Sequence, residues 1–159
     1  LGEHANTYYT LSGEKLNLNG VKFVNPHDRT IIFKTKKINI LNCEGVIRAL
    51  IDNVVDLDLL IANNNFNENQ AVRRFGITNC TGKALIDSNI ITQQLNRNVA
   101  IDFEESNNVK VVLTSNIVGG IVRVRGANSS IIKDNIIDAS SVIIPEHDGT
   151  NHIVKDNVT

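Results

Sequence analysis

A short pattern returns along this chain: two apolar residues, two mostly polar ones, one asparagine, then an apolar residue. It is clearest in Ile131-Ile132-Lys133-Asp134-Asn135-Ile136-Ile137 and in Ile153-Val154-Lys155-Asp156-Asn157-Val158. Looser copies stand at 112–118, 85–91 and 61–66, and two weaker ones surround Asn42 and Asn19. With Asn19, Asn42, Asn65, Asn89, Asn116, Asn135 and Asn157 as markers, the steps are 23, 23, 24, 27, 19 and 22 residues. A unit this short cannot bury its apolar face alone. It must stack on copies of itself, so the chain should fold as a solenoid.

Composition refines that reading. The chain holds 23 asparagines among 159 residues. Asparagine tolerates the left-handed backbone conformation that a solenoid needs at every coil. Ile and Val dominate the apolar set and favour strands. The net charge of −1 gives no reason to expect nucleic acid or an anionic membrane as partner. No apolar run approaches the roughly 18 residues of a membrane-spanning helix. The length fits one domain, 1–159. The chain lacks Met and stops inside a repeat, so it reads as a segment of a longer protein. Flanking domains or a homo-oligomer are expected at the uncapped ends.

The two cysteines sit in matching settings, Asn42-Cys43-Glu44-Gly45 and Asn79-Cys80-Thr81-Gly82. Their separation is about one and a half coils, which puts them on different sides of a solenoid as two buried free thiols. No metal-ligand spacing accompanies them, and none appears among His4, His27, His147 and His152.

Each coil offers about three short alternating strands divided by Asn, Gly or Ser turns. Six to seven coils of about 22 residues are expected. A leucine-rich repeat wants apolar residues three and five positions before its asparagine. The fifth-before residues of Asn135 and Asn157 are Ser130 and His152, and no window carries a helical period.

Three strands per coil and an asparagine turn resemble the right-handed parallel β-helix of the pectin-lyase-like superfamily. The resemblance covers nearly the whole chain. It implies an all-β solenoid in which Asn65, Asn89, Asn116, Asn135 and Asn157 form a stacked ladder, with Asn19 and Asn42 as further members. A narrower resemblance lies in Ser12-Gly13-Glu14-Lys15-Leu16-Asn17-Leu18-Asn19-Gly20 and in Gly120-Ile121-Val122-Arg123-Val124-Arg125-Gly126. These are similar to polysaccharide lyase family six, which includes alginate lyases and chondroitinase B. That likeness implies a catalytic role for Arg125 and calcium as the ion. The position of the family's catalytic Lys holds Glu105, and its paired calcium-binding Glu positions hold Asn98 and Ala100.

One sheet should carry the chemistry: residues 30–35, 46–51, 71–75, 99–104, 121–125 and 141–145. Alternation puts Ile101, Phe103, Val122, Val124, Val142 and Ile144 inside. It puts Asp102, Glu104, Arg123 and Arg125 outside, on adjacent coils. Asp102 to Arg123 and Glu104 to Arg125 are both 21 residues, so each pair should be lateral neighbours. One reading is two exposed cross-strand ion pairs. The other is a catalytic cluster, in which a carboxylate acts as base and an arginine grips a uronate carboxylate. Lys34, Arg73, Arg74 and His147 extend that face as candidate substrate-binding residues, and Arg48 continues its basic trend.

Two functions of different class follow. The first is a polysaccharide-binding or polysaccharide-processing domain acting on an acidic polysaccharide, a lyase or glycoside hydrolase if catalytic. The second is a non-catalytic rod in a phage tailspike, appendage or bacterial surface protein. Both imply an extracellular, periplasmic or virion-surface setting.

Overall fold

A computed structural model describes residues 8–24, 30–67, 75–92, 99–104, 106, 108–137, 142–143 and 151–158. Every element among them is a strand, and every pairing is parallel. The chain opens with β1 (Tyr8–Asn19), β2 (Lys22–Phe23), β3 (Thr30–Leu41) and β4 (Glu44–Gly45). Three-strand turns follow: β5 (Ala49–Asp52), β6 (Leu57–Ala62), β7 (Asn65–Asn67); then β8 (Phe75–Thr78), β9 (Thr81–Asp87), β10 (Ile90–Thr92). The next are β11 (Val99–Glu104), β12 (Asn108–Thr114), β13 (Ile117–Val118) and β14 (Ile121–Arg123), β15 (Ser129–Lys133), β16 (Ile136–Ile137). Strands β17 (Val142–Ile143) and β18 (Asn151–Lys155) begin another.

The strands stack into three faces of a parallel β-solenoid. Face one holds β5, β8, β11, β14 and β17, and face two holds β6, β9, β12, β15 and β18. Face three is a six-stranded sheet of β2, β4, β7, β10, β13 and β16. Strand β3 contributes its first half to face one and its second half to face two, with β1 paired along it. The solenoid has about five turns of roughly 22 residues, fewer than the six to seven expected. The first layers explain the shortfall. Later corners between faces one and two use left-handed Asn53 (φ 55°), Asn79 (φ 52°) or Gly126 (φ 101°). Where β3 would need such a residue it carries Thr35-Lys36-Lys37, so it runs straight through as a 12-residue strand.

Like side chains stack inside. On face two, Ile40, Ile61, Ile86, Leu113 and Ile132 lie in register, each fully buried. Each such side chain contributes about 1.5–3 kcal/mol of burial. On face three the inward column reads Phe23, Gly45, Phe66, Ile91, Val118, Ile137. Gly45 has φ 101°, and a Cβ there would lie 2.2 Å from the Phe23 carbonyl oxygen. The missing side chain lets the Phe23 and Phe66 rings meet edge to face at 6.1 Å.

The asparagine ladder lies at the corner between faces two and three. Its members are Asn64, Asn89, Asn116, Asn135 and Asn157. Each Oδ1 beyond the first accepts from both the backbone N–H and the side-chain amide of the asparagine one coil earlier, at 2.8–3.1 Å. Each amide also donates to a carbonyl of the preceding coil, Asn116 for instance to Ile86 at 2.9 Å. Corner amides that would otherwise be buried without partners are thereby satisfied.

The ladder corrects the expected membership at three positions. Asn64, not Asn65, is the rung, and Asn65 opens β7 on the outside. Asn42 is not a rung either. It holds the left-handed position just before the rung (φ 51°), as Asn63, Ser88, Ser115, Asp134 and Asp156 do in later coils. Its amide donates to Asn19 Oδ1 on the exposed surface, 2.9 Å away, so Asn19 lies outside the ladder as well.

Cys43 occupies the rung that Asn42 was expected to fill, its backbone N–H donating to Asn64 Oδ1 at 2.8 Å. Cys80 takes the matching place at the other corner, its N–H donating to Ser106 Oγ. The two thiols have the same surroundings. Cys43 Sγ lies 3.1 Å from Leu41 O and 3.6 Å from Leu18 O; Cys80 Sγ lies 3.2 Å from Thr78 O and 3.7 Å from Ile51 O. The paired Asn-Cys-x-Gly motifs are thus one device used at two corners: a left-handed Asn, a buried thiol, and a glycine pressed on the previous coil. Both cysteines are free and buried, as expected.

Candidate functional site

The four charged residues singled out on face one do come together. Strand β11 pairs β14 with Asp102 opposite Arg123, as the 21-residue spacing required. Arg123 Nη2 donates to Asp102 Oδ2 at 2.6 Å, and Arg125 Nη2 donates to Glu104 Oε1 at 2.9 Å. Arg125 also lies 4.0 Å from Asp102 Oδ1. Ile101, Phe103, Val122 and Val124 are buried as alternation demands. Val142 and Ile144 fall at positions whose side chains lie outside the description.

One expectation fails. Asp102 is not an exposed partner: its side chain has no solvent exposure, against 18% for Arg123 and 38% for Arg125. The carboxylate therefore forms the floor of the cluster and the guanidinium groups its partly open top. Its register neighbour on the other side is Gly76, which has no side chain to compete for that space. The register of β11 also shifts between Val99 and Ile101, so Ala100 is an extra residue in the strand. Such a bulge re-aims the side chains that follow it.

Lys34 is exposed on β3, three strand spacings from Glu104, or about 14 Å at ~4.8 Å each. It is not part of the arginine cluster. With Glu14, Lys36, Asn53 and Val55 it borders a shallow cleft of about 400 Å³ where the straight β3 meets the first true corner. Arg73, Arg74 and His147 lie outside the described residues. His152 is half-buried, its Nδ1 2.7 Å from Ser130 Oγ. Among the described residues no three His, Cys, Asp or Glu side chains converge on a point that could hold a metal ion. Both carboxylates of the cluster are charge-matched by guanidinium groups, a donor set that does not suit calcium.

Face two carries a charged feature absent from the expected site. Lys15, Lys37, Asp58, Lys83 and Lys110 share one register position and run as a column along the outside. Asp58 bridges Lys37 at 3.4 Å and Lys83 at 3.3 Å. Burial alone would raise the Asp58 pKa. The hydrogen bonds and charges of Lys83 and Lys37 outweigh it, and the carboxyl is held below its usual value. Two residues along each strand runs a parallel aliphatic column of Leu60, Leu85, Val112, Ile131 and Ile153. The signal was present: 37, 58, 83 and 110 are separated by 21, 25 and 27 residues, the same steps as the rungs 43, 64, 89 and 116.

The fold defines a class, the parallel β-solenoid with an internal asparagine ladder. No family model, curated protein or solved structure matches the chain. Among the described residues no helix is long and apolar enough to cross a membrane.

Proposed function

We propose that this solenoid is pectin-lyase-like and binds an acidic polysaccharide on face one, at Arg123 and Arg125. The observation that carries the reading is the mounting of the two guanidinium groups. They stand two residues apart next to a carboxylate sealed from solvent, with their own edges partly open. An arginine held this way keeps its planar fork oriented toward a sugar carboxylate.

Binding is better supported than cleavage. Asp102 cannot reach a substrate from beneath the arginines. Glu104 is the more accessible carboxylate, at 33% exposed, and would be the base in a lyase reaction, with Arg125 neutralising the uronate carboxylate. The test is titration with uronate oligomers, followed by assay for the unsaturated sugar end that β-elimination leaves. Salt-sensitive binding without that product supports a binding module. Product formation lost in Glu104→Gln supports a lyase.

The second reading is a non-catalytic rod of a tailspike, appendage or bacterial surface protein. The burial of Asp102 favours it, because a sealed Asp102–Arg123 pair clamps β11 to β14 whether or not a ligand exists. Absence of binding to any acidic or neutral oligosaccharide would select this reading.

A further inference from the structure

The outer surface of face two presents like charges directly opposite each other. Lys15 faces Lys37 across β1 and β3, and Lys83 faces Lys110 across β9 and β12. Like charges at directly opposed positions are destabilising, and adjacent strands are only ~4.8 Å apart. Asp58 relieves Lys37 and Lys83, whereas Lys15 and Lys110 have no carboxylate partner among the described residues. The column therefore carries a net +3 from four lysines and one aspartate. Beside it, Leu85, Ile131 and Ile153 are each more than a third exposed.

We propose that face two binds a linear anionic polysaccharide lying along the solenoid axis, its anionic groups on the lysine column and its C–H ring faces on the aliphatic column. This surface is separate from the face-one arginines and does not depend on them.

The geometry selects the ligand. Both columns run along the axis, so the ligand must be extended and axial. The two lysine doublets are centred three strand spacings apart, about 14 Å, so only an oligomer reaches both. Charge on one side and aliphatic surface on the other match a sugar chain bearing carboxylates or sulfates. Single-stranded nucleic acid is a poorer match, because such sites stack bases on aromatic rings. Face two presents no Phe, Tyr or Trp among its described residues. A second protein copy is also a poorer match. One column of aliphatic side chains is far narrower than the roughly 800 Å² per partner of a stable interface.

The experiment titrates the protein with a galacturonate oligomer, a heparin oligomer, a neutral cello-oligosaccharide and oligo-dT, at low and high salt. The variants are Lys83→Gln/Lys110→Gln, Asp58→Asn, Leu85→Asn and Arg125→Ala, each checked for wild-type circular dichroism. In the Arg125→Ala background, where face one is weakened, the double lysine variant should bind about tenfold more weakly. Asp58→Asn should bind more tightly, because the one opposing charge in the column is gone, an outcome that a purely structural Asp58 would not produce. Leu85→Asn should lose affinity most at high salt, where the charge contacts are screened. The galacturonate oligomer carries carboxylates alone and the heparin oligomer sulfates as well, so binding of heparin without galacturonate assigns the contact to sulfate. Arg125→Ala separates the two surfaces: binding that survives it but fails in the lysine variant belongs to face two alone. Binding unchanged by both the lysine and Asp58 variants in that background overturns the proposal. So does stronger binding of oligo-dT, or a dimer in sedimentation that Leu85→Asn abolishes.

Discussion

The backbone N–H of Cys43 donates to the side-chain oxygen of Asn64, 2.8 Å away, in the way that Asn64 itself donates to Asn89. The ladder therefore extends one coil further than its asparagines do. At Cys43 a thiol stands in for the amide, reaching toward Leu18 O at 3.6 Å. Cys43→Asn should convert that weak contact into two amide hydrogen bonds, to Asn64 Oδ1 and Leu18 O. A gain of about 1 kcal/mol is expected, or roughly 2–4 °C in Tm for a domain of this size. Thermal melting checks it.

Removing an interior rung should cost far more than removing the last. Asn116→Ala strands the backbone N–H of Asn89 and takes one partner each from the Asn89 amide, the Ile86 carbonyl and Asn135 Oδ1, which keeps only the backbone N–H of residue 116. About 3 kcal/mol or more is expected, because each buried group left unpaired carries its own desolvation cost. Asn157→Ala removes a partly exposed rung and should cost about 1 kcal/mol. Equal costs in urea unfolding would mean that the ladder does not hold the corner together.

The two arginines should separate in the same assay. Arg123→Ala uncovers a buried carboxylate and should destabilise by about 3 kcal/mol. Arg125→Ala acts on a more open pair, and less than about 1 kcal/mol is expected. The Asp102→Ala/Arg123→Ala double variant should be less damaged than the sum of its singles, since neither charge is then left alone.

The repeat alone makes the solenoid, the inward columns and the 21-residue pairing of Asp102 with Arg123 legible. What it hides has physical causes. In Asn63-Asn64-Asn65-Phe66 the expected rung is off by one, because the residue after a rung points outward and need not be apolar. The fixed position is the inward one two residues on, Phe66 here and Ile137 later. The burial of Asp102 is hidden because strand alternation gives the direction of a side chain, not what lies over it. The lysine column is hidden because an outward lysine on a strand is ordinary by itself. Only the register of β1, β3, β9 and β12 makes four of them one column.

Asp58 gives a pH prediction. Its folded pKa lies below its ordinary value of 3.8, so its pairing stabilises the fold above that value and the gain is lost as pH falls through the folded pKa. Exposed pairs are screened, so the contribution should stay under about 1 kcal/mol. Urea midpoints measured from pH 7 down to pH 3 should fall less steeply for Asp58→Asn than for wild type.

Binding of an acidic oligosaccharide at face one is the central claim, and titration of the Arg125, Arg125→Ala and Arg125→Lys forms with galacturonate oligomers, all in the Lys83→Gln/Lys110→Gln background so that face two does not contribute, tests it most directly. Affinity of the Arg125 form should fall as salt rises, because partly exposed charge contacts are screened. Arg125→Ala should bind about tenfold more weakly while melting within about 1 kcal/mol equivalent of the Arg125 form. Arg125→Lys should not restore binding, because an ammonium lacks the planar fork. Equal affinity in all three proteins, or a preference for neutral sugars, would contradict the account and leave the rod as the better description of face one.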